Sequence, residues 1–165
     1  MANTTFSGPV TSTNGFITGT GVNSTVTAAT LTVTADTYNG QTIGLSRAAG
    51  ITVTLPAATG TNAVYKFLVE TTVTSNNNII QVANATDVIS GSLNVAGTTG
   101  TPFGTLPASD TITMNGTTKG GVAGSYVELT DVDAGIFVIT AGGLIGSGTV
   151  VTPFSAAVYL ITGGI

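Results

Sequence analysis

The residues with the greatest chemical potential in this chain are three carboxylates, Glu128, Asp131 and Asp133, the last two within Asp131-Val132-Asp133-Ala134-Gly135. A hard cation such as calcium takes about six to eight oxygen ligands, and three carboxylates beside a glycine turn could begin to supply them. The spacing of a helix-loop-helix calcium site is absent, however, and Asp and Gly between two strands are also what a hairpin turn demands. The same residues offer the pair of carboxylates that glycoside hydrolysis requires. If a strand runs through them, Asp131 and Asp133 share a face about 7 Å apart. There is no Trp and the four Tyr are dispersed, so no aromatic platform for a sugar accompanies them.

Other catalytic chemistry has less to work with. Ser125 and Ser155 have no His to activate them, and a lysine-based alternative would need Lys66 or Lys119 buried beside a serine. Lys119-Gly120-Gly121 lacks the spacing of a phosphate-binding loop and no helical pattern follows it, so it reads as a turn. With no His and no Cys, the chain lacks the commonest general base, the commonest soft metal ligand and the thiolate nucleophile. Disulfides and a structural zinc site are excluded for the same reason. The expectation is a protein that is not an enzyme and needs no cofactor.

Charge excludes further classes. The net charge is -4 and the pI about 4.1, and Arg47, Lys66 and Lys119 are the only cations. Nucleic acid needs clustered Lys and Arg, so it is not an expected partner. Only 6% of residues are charged, against about 25% in an ordinary soluble domain. A mean hydropathy of +0.48 raises the question of a membrane, and residues 1–35 and 134–165 carry no charged side chain. A spanning helix wants about 20 consecutive apolar residues. The second stretch is broken by Gly142, Gly143, Gly146, Gly148, Pro153, Gly163 and Gly164, so no membrane partner is expected. The opening MANTTFSGPV has neither the basic region nor the apolar run of a secretory signal, which makes use without export the expectation.

Positioning any of these groups falls to strands. The chain has 34 Thr and 23 Gly among its 165 residues, and β-branched residues recur at period two over 25–27, 30–34, 51–55 and 111–114. Further strands are expected over 63–70, 79–83, 88–95, 126–131, 136–140 and 155–161. Their spacing of roughly 8 to 15 residues, with turn signals such as Asn115-Gly116 between them, predicts an all-β fold, an antiparallel β-sandwich or barrel-like body. Residues 1–35 hold few large apolar groups and cannot close a core, so they read as an extended N-terminal arm, with the body over 36–165. The Gly- and Pro-punctuated segment 97–107 reads as a loop. Thr-x-Thr words begin at Thr25, Thr30, Thr52, Thr72 and Thr111, at intervals too irregular to align as the flat ranks of an ice-binding solenoid.

The outer surface then carries the functional reading. Lys, Pro, bulges and inward charges normally blunt the edges of a sheet, and these devices look scarce here. A surface of Thr, Ser and Asn hydrates well without repelling a neighbour at a distance, which suits a subunit tiled among copies of itself or on a lattice. Phe67 shares strand parity with Tyr65 and Val69, and Phe137 with Ile139, as inward residues should. Phe6, Val10, Phe16 and Ile17, on a segment too poor to fold alone, are the expected interface residues, docking into a neighbour.

From Gly50 the run GITVTLPAATGTNAVYKFLVE, then IIQVANATDVISG, SDTITMNGTTKGG and GSYVELTDVDAGIFVITAGGLIGSGTVVTPFS, resembles small structural proteins of tailed bacteriophages. TLPAATG at 54–60 and TPFS at 152–155 are its most specific words. The opening ANTTFSGPVTSTNGF is similar to the N-terminus common among virion proteins of marine and cyanobacterial phages. The resemblance implies a virion protein made in the host cytoplasm, most like a capsid decoration (cement) protein. Such a protein sits on the outer surface of the head as a homotrimer and touches the major capsid protein. A tail fibre, another appendage or an adhesin-like virion protein is the alternative.

Overall fold

Alternation of inward and outward side chains, with the inward ones apolar, builds many of the strands. The computed structural model describes residues 24–157. In chain order these form β1 (Ser24–Val26), β2 (Thr30–Thr32), one helical turn α1 (Ala35–Tyr38), β3 (Thr42–Leu45), β4 (Thr52–Thr54), β5 (Val64–Val69) and β6 (Asn78–Gln81). They continue with β7 (Val88–Ser90), β8 (Ser92–Ala96), β9 (Gly100–Gly104), β10 (Thr111–Met114), β11 (Tyr126–Asp133), β12 (Ile136–Ile145) and β13 (Phe154–Ser155). In β5, Tyr65, Phe67 and Val69 are buried while Val64, Lys66 and Leu68 face outward; in β8, Leu93 and Val95 are buried.

Eight strands form one sheet, ordered β1-β3-β5-β11-β12-β8-β9 with β7 also on β12, and five form the other, ordered β13-β10-β6-β4-β2. A single core lies between them, joining Ile43, Phe67 and Leu129 of the larger sheet to Val53, Ile80 and Ile112 of the smaller. Each such side chain contributes about 1.5–3 kcal/mol by leaving water. At its centre the Tyr65 and Phe137 rings meet edge to face, with centroids 6.3 Å apart. The chain is therefore an all-β sandwich, as its composition predicts, but the sheets are mixed rather than antiparallel.

The reason lies in the winding. From β1 to β6 the chain alternates between the sheets, so each return to a sheet arrives in the same direction and pairs parallel. Ser24 lies beside Ile43, Thr30 beside Thr52, Thr42 beside Lys66 and Thr52 beside Ile79, so successive turns take up 19, 22, 24 and 27 residues. This is a three-turn parallel solenoid. Antiparallel pairing of β11 with β5 and of β10 with β6 then closes it at one end.

Several local expectations change. Residues 24–35 read as arm on composition, yet β1 and β2 pair with β3 and β4, and Val33 is buried. Pairing with strands supplied by the rest of the chain gives this segment the core it cannot build alone. The stretch 88–95 is two strands, split where Gly91 takes φ 134°. Within the expected loop 97–107, Gly100–Gly104 is a strand paired with β8. Its Pro102 is tolerated because β9 is an outer strand. The free edges are accordingly well blunted: β9 carries a proline, and β1, β2 and β13 are three residues long or shorter. Thr30 and Thr32 do stack in register on Thr52 and Thr54, because the connecting loops absorb the irregular spacing. The rank stops there, since Ile79 and Gln81 occupy the next strand.

Candidate interaction surface

The clustered carboxylates do not converge. A bulge in the β11–β12 pairing lies between Asp131 and Asp133, so the two do not share a face. Asp131 is buried at 2% exposure. Its Oδ1 accepts from the backbone N–H of Thr59 (3.0 Å) and Gly60 (2.8 Å). Its Oδ2 accepts from the N–H of Thr61 (3.1 Å) and from the Thr61 hydroxyl (2.7 Å). Burial pushes the carboxyl up, but the bonds from Thr61, Gly60 and Thr59 outweigh it and hold Asp131 below the usual carboxylate range. Burial first, and then the Asp131 charge, raise the Tyr65 hydroxyl above its ordinary value.

Glu128 lies on the opposite face of β11. Its Oε2 is 2.9 Å from Lys66 Nζ and its Oε1 accepts from the Thr140 hydroxyl at 3.0 Å. These two contacts hold its carboxyl below the ordinary range. Asp133 is exposed and accepts from the N–H of Ala134 at 2.8 Å. Among the described residues no group of three or more His, Cys, Asp or Glu is placed to hold a metal ion. Ser125 is committed to the fold: buried, its Oγ accepts from the N–H of Ile145 at 2.9 Å and of Gly121 at 3.2 Å. Ser155 pairs with Thr111 in the smaller sheet. Lys119 sits in the expected turn, where Asn115 Oδ1 accepts from the N–H groups of Thr117 and Lys119.

Most of the ionic inventory is spent inside the molecule. Asp87 is buried and accepts from the N–H of Ala58 at 2.8 Å. Asp110 is buried and accepts from the Thr111 hydroxyl at 2.6 Å. Arg47 donates to the carbonyls of Ala49 and Gly50 in its own turn. With Asp131 and the Lys66–Glu128 pair also engaged, Asp36, Glu70, Lys119 and Asp133 remain, and of these Glu70 accepts from the Thr25 hydroxyl and Asp133 from the N–H of Ala134.

What is left is a broad, sparsely charged face on the outer side of the larger sheet, with the Glu70 carboxylate over Gly44 at one part of it, accepting from the Thr25 hydroxyl. Tyr126 (40% exposed) lies between Leu68 and Gly143 in register, and Ile145 (41% exposed) follows on β12. The Lys66–Glu128 pair sits in the same face, so its charges largely cancel there. Sequence reasoning missed Tyr126 and Ile145 as surface anchors. Strand parity could have found Tyr126, since Val127 and Leu129 must point inward. The residues that sequence favours for the interface, Phe6, Val10, Phe16 and Ile17, lie outside the described residues.

Among the described residues no helix is long and apolar enough to cross a membrane. No protein-family model, curated protein or solved structure matches this chain.

Proposed function

We propose that the chain is a non-enzymatic capsid decoration protein of a tailed phage, binding the outer surface of the major capsid lattice and stabilising the head. One observation carries the reading: an all-β sandwich with only ten charged side chains, most of them engaged by contacts within the chain, presents a sparsely charged exterior. Net charge and mixed surface charge keep free proteins apart, and their scarcity suits a subunit that lives among close neighbours. The sequence resemblance to phage virion proteins points the same way. Contact through the outer face of the larger sheet, with Tyr126 and Ile145 as anchors, removes apolar area from water at a place where few charges need be desolvated. Repetition over the lattice multiplies a modest single contact.

The test is co-sedimentation of the purified chain with phage heads stripped of decoration. Binding is expected at a stoichiometry set by the capsid lattice, with heads made more resistant to heat. Removing residues 1–23 tests the arm; a cut at residue 35 would also remove β1, β2 and Val33 and unfold the sandwich. Tyr126→Asp should weaken binding while leaving the far-ultraviolet circular dichroism unchanged. Failure to bind heads, with the chain present only at the stoichiometry of a tail or fibre in virions, supports the appendage reading instead.

A further inference from the structure

The charged side chains are sorted along the strand axis. β5 runs from Val64 to Val69, and β11 returns beside it from Tyr126 to Asp133. All five aspartates gather at the end where β5 begins. Asp131 and Asp133 close β11, and Asp87 and Asp131 hold the loop over residues 58–61. The Asp110 carbonyl accepts from the N–H of Val82 just beyond β6, and Asp36 stands in α1, whose exit is tied to Val64 through Asn39 and Gly40. The opposite end carries Arg47 beyond β3, Glu70 beyond β5 and Lys119 in the turn after β10, while Lys66 and Glu128 pair midway. Five carboxylates without a cation thus lie at one end, and two cations with one carboxylate at the other.

Arg47 is the part of this pattern with a shaped site. It is half-buried in a cleft of about 460 Å3 on the outer side of the smaller sheet, beside Thr30, Thr52 and Asn77. Its Nη1 donates to the carbonyls of Ala49 (3.3 Å) and Gly50 (2.7 Å), which fixes the guanidinium in its own turn. Nε and Nη2 remain, two donors side by side. Among the described residues nothing accepts from them, and no carboxylate pairs with Arg47. A guanidinium with that edge open matches the two oxygens of a carboxylate. Because it is already held in place, binding costs it little further side-chain freedom.

Position selects the occupant. Thr30 lines the cleft and begins β2, an edge strand of the smaller sheet, and the chain runs from there to Asp36 at the acidic end. Asp36 is exposed, and its helical turn buries no residue. Strand β2 separates it from the Arg47 of its own chain, but a second copy set end to end along this edge brings its Asp36 to the cleft. We propose that the Arg47 cleft binds the Asp36 carboxylate of a second copy, joining copies head to tail along the β2 edge. The contact is heterologous, so each copy offers both a cleft and a carboxylate. The inference stands whether or not the protein decorates a capsid.

Sedimentation equilibrium of the full chain at up to about 1 mM tests it. The wild-type chain should associate. Arg47→Asp and Asp36→Arg should each weaken association at least tenfold, because each sets like charges against one another. Mixed in equal amounts, the two variants should associate within about threefold of wild type, since the first keeps Asp36, the second keeps Arg47, and the exchanged charges complete the alternate contact. Asp133→Arg, at the same acidic end but on the larger sheet, should stay within about threefold of wild type. A monomeric wild-type chain overturns the proposal, as does a mixture no tighter than its separate components. A loss with Asp133→Arg equal to that with Asp36→Arg overturns the pairing in favour of a diffuse attraction between the ends. Asp36→Arg changes only an exposed side chain, so its association at wild-type strength refutes the contact even if Arg47→Asp disturbs its own turn.

Discussion

Replacing Asp131 by Asn tests the claim that this carboxylate is a structural clamp. The substitution preserves shape and removes charge. In the native chain two oxygens receive four donors from Thr59, Gly60 and Thr61, all within 3.1 Å. An amide keeps one acceptor oxygen and turns an NH2 group toward the other two donors, so at least two charge-assisted bonds are lost in a site water reaches poorly. Hydrogen bonds to charged groups are worth about 1.5–3 kcal/mol each, and partial rehydration reduces the sum to about 2–4 kcal/mol. That is a large share of the roughly 5–15 kcal/mol that holds a domain together. The expected fall in Tm is roughly 4–16 °C for a chain of this size. Circular dichroism melts and urea titrations at pH 7 measure it. The pH dependence supplies a second check. Asp131 has a folded pKa below its unfolded value of about 3.9, so its contribution is fully present above the unfolded pKa and is lost as pH falls through the folded one. The difference between wild type and Asp131→Asn should therefore hold at neutral pH and shrink steadily below about pH 4. A difference under about 1 kcal/mol at pH 7, or one that persists undiminished at pH 2, refutes the clamp.

Two further substitutions probe the frame around it. Gly50 has φ 76°, and a Cβ there would meet the Asn77 carbonyl carbon at 2.6 Å, whereas Gly40 has φ 74° with open space around it. Gly50→Ala should cost about 3–5 kcal/mol and Gly40→Ala about 1–2 kcal/mol in urea unfolding, the difference isolating the clash from the backbone strain. Equal losses would mean that the solenoid's second turn yields around Gly50. For Lys66 and Glu128, whose side chains are 43% and 22% exposed, a double-mutant cycle with Lys66→Met and Glu128→Gln should give a coupling below about 1 kcal/mol, weakening further in 1 M salt. A larger, salt-insensitive coupling would show the pair to be far better shielded than its exposure implies.

Much of the sandwich is legible in residue order, and the failures have identifiable causes. Inward parity is plain in Tyr65-Lys66-Phe67-Leu68-Val69 because β5 is paired on both sides and one of its faces is fully buried. Parity breaks in β12, where Thr140 is the extra residue of a bulge: Phe137 and Ile139 face the core before it, Gly142 and Leu144 after it. Gly142 fits there only because it lacks a side chain, since a Cβ would collide with Leu93 Cδ2. No composition rule signals such a switch. The solenoid was illegible for a related reason. Its turns differ in length by up to eight residues, so no fixed period marks them, although the in-register pairing of Thr30 with Thr52 is as regular as in a true repeat. The site suffered most from long-range closure. Asp131 reaches Thr61, 70 residues away in sequence, and nothing local announces that contact.

Sparse charge has two possible sources in this fold, and they can be separated. Parallel in-register stacking sets equivalent positions of successive turns side by side, about 4.8 Å apart, where like charges repel. Uncharged Thr is then favoured in the solenoid, as at Thr30 and Thr52, for reasons internal to the fold. Lys66 obeys the same logic, with Thr42 on one side and Glu128 on the other. That argument does not extend to the antiparallel ladder of β11 and β12, where alternating Lys and Glu would be harmless or helpful, yet Glu128 is the single charge on its outward face before the Asp133 turn. The ladder itself does not account for the scarcity of charge there, and the proposed docking face would account for it. Thr130→Lys, between Val64 and Val138 on that face, should change stability by less than about 1 kcal/mol, because a half-buried cross-strand site at the sheet surface tolerates a charge that Glu128 can balance. If the face docks on a neutral lattice, the same substitution weakens head binding at least tenfold, since docking would desolvate the added lysine and its bulk would displace the Thr130–Thr140–Glu128 hydrogen bonds. Full binding by a stably folded Thr130→Lys protein would move the contact elsewhere and leave the sparsely charged face unexplained by assembly.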